Sequence, residues 1–185
     1  MERKLFMLVL GCKPAGRNTE QHDVFFGIGS CLKDLLPQIS GFWNDGGKIH
    51  IDSWREVTMV DGYSISILSK EEKDPVNPAG LFFLNLGGYK PADLEEYHYK
   101  IITVAKDKAE AIKNSKQTAF YLHTGFRGAE SHIDDKYGID IDDIYSIEEI
   151  LAGELKKKYS IQIELAQPGL VEDRLHPGYV KLSAL

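Results

Sequence analysis

The sequence predicts an α+β protein: two tandem ββαββ-like repeats packed with pseudo-twofold symmetry, plus a C-terminal helix and strand. Two stretches carry that reading. Leu5–Asp23, LFMLVLGCKPAGRNTEQHD, returns as Leu81–Tyr99, LFFLNLGGYKPADLEEYHY. In each, an apolar run ends at Gly, a Lys-Pro follows, and a Glu and a His stand two apart before the next apolar run. His50–Ile65, HIDSWREVTMVDGYSI, aligns without a gap on His132–Ile147, HIDDKYGIDIDDIYSI. The offset grows from 76 to 82 residues between the two stretches, which places the extra length in a loop around Thr124–Gly128. A unit this long that occurs twice indicates a duplicated domain, not a solenoid array. The divisions are a first unit over 1–68, a linker over 69–80, a second unit over 81–165 and a tail over 166–185.

Leu5–Leu10 is a continuous apolar run closed by Gly11, the pattern of a strand buried on both faces. Pro14, Gly16 and Asn18 break the chain into a loop up to Gln21. Val24–Ile28 is a second strand, rich in β-branched and aromatic residues. Ser30 is placed to cap a helix whose apolar positions are Leu32, Leu35, Leu36 and Ile39, kinked or stopped at Pro37. Lys48–Asp52 alternates as a strand. Val57–Val60 and Tyr63–Leu68 flank Asp61-Gly62, a two-residue hairpin signal. The aligned second copy has Asp143-Ile144 there, and Ile tolerates positive φ badly; either the turn differs between copies or the hairpin does not form.

Ser69–Gly80 is charged and carries two prolines, as a linker does. Leu81–Leu86 and Lys100–Ala105 read as strands, and Asp107 with Glu110 opens a helix to about Lys116 as a capping box. Phe120–His123 and Ser131–Asp134 read as strands. Ile147 to about Lys158 is a helix with its lysines in the last turn, where the helix dipole favours cations. Tyr159–Leu165 alternates as a strand, and a short edge strand is expected near Tyr179–Leu182.

At 185 residues the chain is long enough to bury a core without disulfides or metals. Its net charge of −6 argues against nucleic acid as a partner, which requires a basic field. Cys12 and Cys31 alone provide neither a disulfide framework nor a zinc spacing. The N-terminal apolar run is too short for a signal peptide, and no stretch approaches a membrane span, so no membrane partner and a cytoplasmic location are expected.

Several residue groups are candidates for chemistry. Gly11-Cys-Lys-Pro-Ala-Gly16 has the glycine spacing of a phosphate loop, but Arg17-Asn18 stands where Lys and Ser or Thr are needed. Arg17, Glu20, His22 and Asp23 form a polar cluster; Glu20 and His22, two apart on an extended chain, share a face. An Arg, a carboxylate and an imidazole together suit anion binding or acid–base work, while the plainer reading is that Glu20 and His22 hold the loop in shape. His50 and Asp52, repeated as His132 and Asp134, are legitimate metal ligands on one strand face, but two ligands are not a site, and no metal or cofactor is assigned. Cys12 beside His22 is a further nucleophile candidate, weakened because Gly88 is its counterpart. Glu20 and His22 have counterparts in Glu96 and His98, whereas Leu94 and Tyr99 fall near the places of Arg17 and Asp23. The more specific site therefore belongs to the first unit.

At LGCKPAGRNTEQHDVFF followed by HIDSWREVTMVDGYSI, the chain resembles a bacterial family known only as domain of unknown function 1543. The resemblance rests on Gly16, Arg17, Glu20, His22 and Asp23, then on His50, Asp52 and Asp61–Tyr63. It implies one or two copies of a short α/β unit. The second copy departs from the pattern at the Gly-Arg pair and at the Gly of Asp-Gly-Tyr. The resemblance implies no reaction, substrate or cofactor.

The expected function is binding of a small molecule or a protein through Arg17, Glu20, His22 and Asp23, with His50 and Asp52 nearby. The alternative is a small hydrolase-like enzyme using His22 with Glu20 or Asp23 as the catalytic pair and Arg17 to hold an anionic substrate. A homodimer is compatible with either.

Overall fold

The structure, a computed structural model, describes residues 2–71, 77, 79–89, 94–117 and 139–185. Two compact units result. The first joins Met1–Val76 to Leu151–Leu185; the second is Asn77–Ile150.

In the first unit, β1 (Lys4–Cys12) is a central strand. β2 (Gln21–Gly29) and β3 (His50–Val57) flank it, and β10 (His176–Lys181) pairs with the outer edge of β3, giving the antiparallel order β10-β3-β1-β2. The residues of β1 are buried on both faces, as its unbroken apolar run predicts. Phe6, Leu8 and Leu10 share one face and pack with Phe25, Leu35, Ile39 and Ile51. Burial of each such side chain contributes about 1.5–3 kcal/mol.

The expected helix after Ser30 differs in detail. A 3-10 turn over Leu32–Leu35 precedes α1 (Leu36–Phe42). Pro37 lies in the first turn of α1, where a missing N–H costs nothing, so it starts the α-helix where a kink or stop was expected. Ser30 is not the cap; its backbone N–H instead donates to the Asp34 carboxylate at 2.9 Å.

The Asp61-Gly62 hairpin forms between β4 (Met59–Val60) and β5 (Tyr63–Ser69). Asp61 and Gly62 have φ of 52° and 78°, the double positive that a two-residue I′ turn demands. Asp143-Ile144 is not its counterpart, because both residues lie mid-strand in β8 (Ile139–Ser146). β9 (Tyr159–Leu165) pairs with β5 in the order β4-β5-β9. That strand, grouped by sequence with the second unit, therefore completes a sheet of the first.

In the second unit, β6 (Gly80–Tyr89) lies between β7 (Glu96–Ala105) and β8, again antiparallel. α2 (Lys108–Ser115) opens as expected: the Asp107 carboxylate accepts from the Glu110 N–H at 2.8 Å. The Glu110 carboxylate accepts from the N–H of Lys106, one residue before the cap. Phe82, Leu84, Leu86, Ala105 and Ala111 form the core. The expected single helix from Ile147 is two short ones, α3 (Ile147–Ile150) and α4 (Gly153–Lys158). Ala152, with extended ψ of 140°, breaks it just before Gly153. The strands expected at Phe120–His123 and Ser131–Asp134, the loop at Thr124–Gly128 and the His132/Asp134 pair lie outside the described residues. The fold is thus α+β with antiparallel sheets, and no helix among the described residues is long and apolar enough to cross a membrane.

Candidate functional site: a carboxylate–imidazole cluster over Gly11

The register of the first sheet builds the site. Gly11 lies opposite His22 on β2 and opposite His50 on β3, so both imidazoles rise from the face Gly11 shares. Glu20 precedes β2 by one residue. On β3 the pairing slips between Leu10↔Ile51 and Val9↔Ser53, leaving Asp52 as the extra residue of a β-bulge. Bulges re-aim a side chain, and this one carries a carboxylate to the two histidines.

The heads converge. His50 Nε2 is 3.1 Å from Glu20 Oε1 and 3.2 Å from Asp52 Oδ1. His22 Nε2 is 3.2 Å from Asp52 Oδ2 and 3.8 Å from Glu20 Oε2. Short as these separations are, His50 Nε2 and Asp52 Oδ2 are buried and complete no hydrogen bond. The His50 side chain is 8% exposed, whereas that of His22 is 46% exposed, so the cluster has a closed floor and an open rim.

Gly11 makes the room. A Cβ there would stand 2.5 Å from His50 Nε2 and 2.8 Å from Asp52 Oδ2. Tyr179 of β10 packs its ring on His50 with centroids 4.3 Å apart, and His176 stacks on Trp54 at 4.0 Å. Sequence reading missed Gly11 and Tyr179. The signal for Gly11 was present, because a glycine inside a buried strand pattern marks a close approach and Gly87 repeats it.

The second unit carries a related group. Gly87 lies opposite His98, and β8 slips between Leu86↔Ile141 and Asn85↔Asp143, bulging at Asp142. Glu96, His98 and Asp142 offer ligand atoms within 4.8 Å of one another. Asp140 occupies the register position that His50 holds on β3. Asp142 therefore stands at the bulge of β8 as Asp52 does at that of β3, while His132–Asp134 lie outside the described residues.

Of the residues singled out by sequence, Glu20, His22, His50 and Asp52 come together. Arg17 is exposed in the β1–β2 loop, its backbone N–H donating to the Pro14 carbonyl. No ion pair joins its guanidinium to the cluster among the described residues. Asp23, next to His22 on β2, belongs to the opposite face of the sheet and accepts from the Val24 N–H at 2.7 Å. Cys12 is fully buried; burial first, then the charges of Asp45 and Glu20, push its thiol pKa up, which leaves it protonated and a poor nucleophile.

Comparison with known proteins agrees with this architecture. A crystal structure of protein Il1583 from Idiomarina loihiensis is similar over 98% of each chain, with a TM-score of 0.60 and 22% identity, a likeness of fold. No curated protein matches. Residues 17–67 match the family model described as Domain of Unknown Function (DUF1543), a segment that contains all four cluster residues. Over residues 17–67 the chain is thus similar to the DUF1543 family.

Proposed function

We propose that this protein binds a small, positively charged ligand at Glu20, His22, His50 and Asp52. One observation carries the reading: two buried polar atoms, His50 Nε2 and Asp52 Oδ2, face the cluster without a hydrogen bond. An unmatched buried polar group costs about 1–3 kcal/mol. An occupant that meets both atoms removes that cost, and two carboxylates at its edge favour a cation. The acid–base reading, His22 with Glu20 or Asp23 and Arg17 on an anionic substrate, has weaker support because Arg17 and Asp23 stand apart from the cluster.

The matching positions of Gly11 and Gly87, Glu20 and Glu96, His22 and His98, and Asp52 and Asp142 support descent of both units from one duplicated module. Two free cysteines fit a reducing, cytoplasmic setting.

The test is thermal unfolding of wild type and of Asp52→Asn against a panel of amines, nucleotides, sugar phosphates and metal ions. A ligand at 100 times its Kd stabilises by about 2.7 kcal/mol. The wild type should gain that stability from a cationic ligand and Asp52→Asn should not. Equal responses from both proteins, or none from either, would refute binding at this cluster.

A further inference from the structure

We infer that the occupant is a divalent first-row transition-metal ion, coordinated by His22 and His50 through Nε2 and by the carboxylates of Glu20 and Asp52. The inference rests on the binding reading above and names its ligand.

The donor set decides the class. Two imidazoles with two carboxylates suit zinc and its first-row neighbours, whereas calcium and magnesium prefer oxygen alone. Two carboxylate charges balance one dication, so the site becomes neutral when loaded. Each carboxylate turns one oxygen toward each imidazole, Glu20 and Asp52 at 3.1 and 3.2 Å from His50 Nε2 and at 3.8 and 3.2 Å from His22 Nε2, so nitrogen and oxygen donors from all four residues line one small space.

Burial supports the same conclusion. His50 Nε2 and Asp52 Oδ2 are buried at the cluster with no hydrogen bond, and a bound cation would meet both. The supports are backbone features: Gly11 clears the volume, the Asp52 bulge brings a carboxylate in, and sheet pairing sets the imidazoles on either side. Tyr179 braces the His50 ring from the adjacent strand. Rigid placement of this kind reduces the ordering cost of binding. The second unit's Glu96, His98 and Asp142 also offer donors within 4.8 Å of one another, with one imidazole where the first unit has two, so His98→Ala separates any binding there from the first-unit site.

The test uses the full chain, stripped with chelator and carrying Cys31→Ser to remove the exposed thiol. Isothermal titration with Zn2+ should show one tight site, with Mg2+ and Ca2+ far weaker. Substitution of metal-site supporting groups alone costs roughly 10–100-fold in affinity, so loss of a direct ligand should exceed that. His22→Ala and Glu20→Gln carry the measurement, because both side chains are substantially exposed and their loss leaves the core intact. Each should weaken Zn2+ by more than about 100-fold, while His98→Ala leaves the tight site unchanged. Bound Co2+ should show the intense visible absorption of a four-coordinate ion, lost in His22→Ala. Tight binding that survives His22→Ala and Glu20→Gln, or that disappears in His98→Ala, overturns the assignment. If no metal binds but an organic cation stabilises wild type and not Asp52→Asn, the metal assignment fails and the binding reading stands. If neither binds, both fail.

Discussion

Asp173 and Arg55 meet across 118 residues of chain, Asp173 Oδ2 accepting from Arg55 Nη2 at 2.7 Å. The Asp173 side chain is 3% exposed and also accepts from the N–H groups of Thr58 and Met59 and from the Thr58 hydroxyl. One carboxylate thus fixes the turn between β3 and β4 to the segment that leads into β10. Breaking a buried pair from one side leaves the other charge uncompensated. Asp173→Ala should therefore cost about 3–5 kcal/mol in urea unfolding. Asp173→Asn, which keeps one acceptor, should cost less.

Gly11 and Gly87 hold matching places but face different neighbours. A methyl at Gly11 meets the buried His50 ring at 2.5 Å, and that ring, under Tyr179, has nowhere to retreat. A methyl at Gly87 meets carboxylates of Asp142 and Glu96, which are partly exposed ends of flexible side chains. Gly11→Ala should cost about 1–3 kcal/mol. Gly87→Ala should cost clearly less in the same denaturation series. Equal losses would show that the two sites are equally rigid.

Thiol chemistry should separate the two cysteines. Cys12 is buried with a raised pKa and Cys31 is exposed. Iodoacetamide on the native protein at neutral pH should label Cys31 and spare Cys12, with both labelled in denaturant; peptide mass spectrometry measures this. Labelling of native Cys12 at a comparable rate would reopen its role as a nucleophile.

Acid stability should depend on Asp34. The Ser30 N–H, with a smaller contribution from Arg3 and against some desolvation, holds its carboxyl below the ordinary value of 3.8. A group whose folded pKa is depressed contributes fully above its unfolded pKa and loses that contribution as pH falls through the folded one. Asp34→Asn should therefore flatten the fall in stability below pH 3.8 and lower stability at neutral pH. Urea midpoints followed from about pH 5 to about pH 2 would show it.

What sequence revealed depended on whether a feature was local. Asp61-Gly62 declared its turn because only certain residues accept two positive φ values in succession. The strands β1, β2 and β6 were legible as apolar runs, and α2 through its Asp107 cap. The partners of β9 and β10 were not, since pairing over a hundred residues leaves no mark in neighbouring composition. Identity along the chain paired His50–Asp52 with His132–Asp134, which lie outside the described residues, whereas the bulge that places Asp52 is a property of two strands together. His50-Ile-Asp-Ser53 lies opposite Gly11 to Val9 as Asp140-Ile-Asp-Asp143 lies opposite Gly87 to Asn85. Of the site, Glu20, His22, His50 and Asp52 were all named from sequence, with His50 and Asp52 expected near the loop. Their union required Gly11, a residue whose contribution is the volume it does not fill.

The first unit is discontinuous in sequence, and this sets an order of assembly on the ribosome. Residues 77–150 are contiguous, whereas the two earlier-made sheets of the first unit lack β9 and β10 until residues 159–181 are translated. Until then the outer edge of β3, next to His50, lacks its neighbouring strand and is open to pairing with other chains. Any ion captured by the nascent protein would meet an imidazole not yet braced by Tyr179.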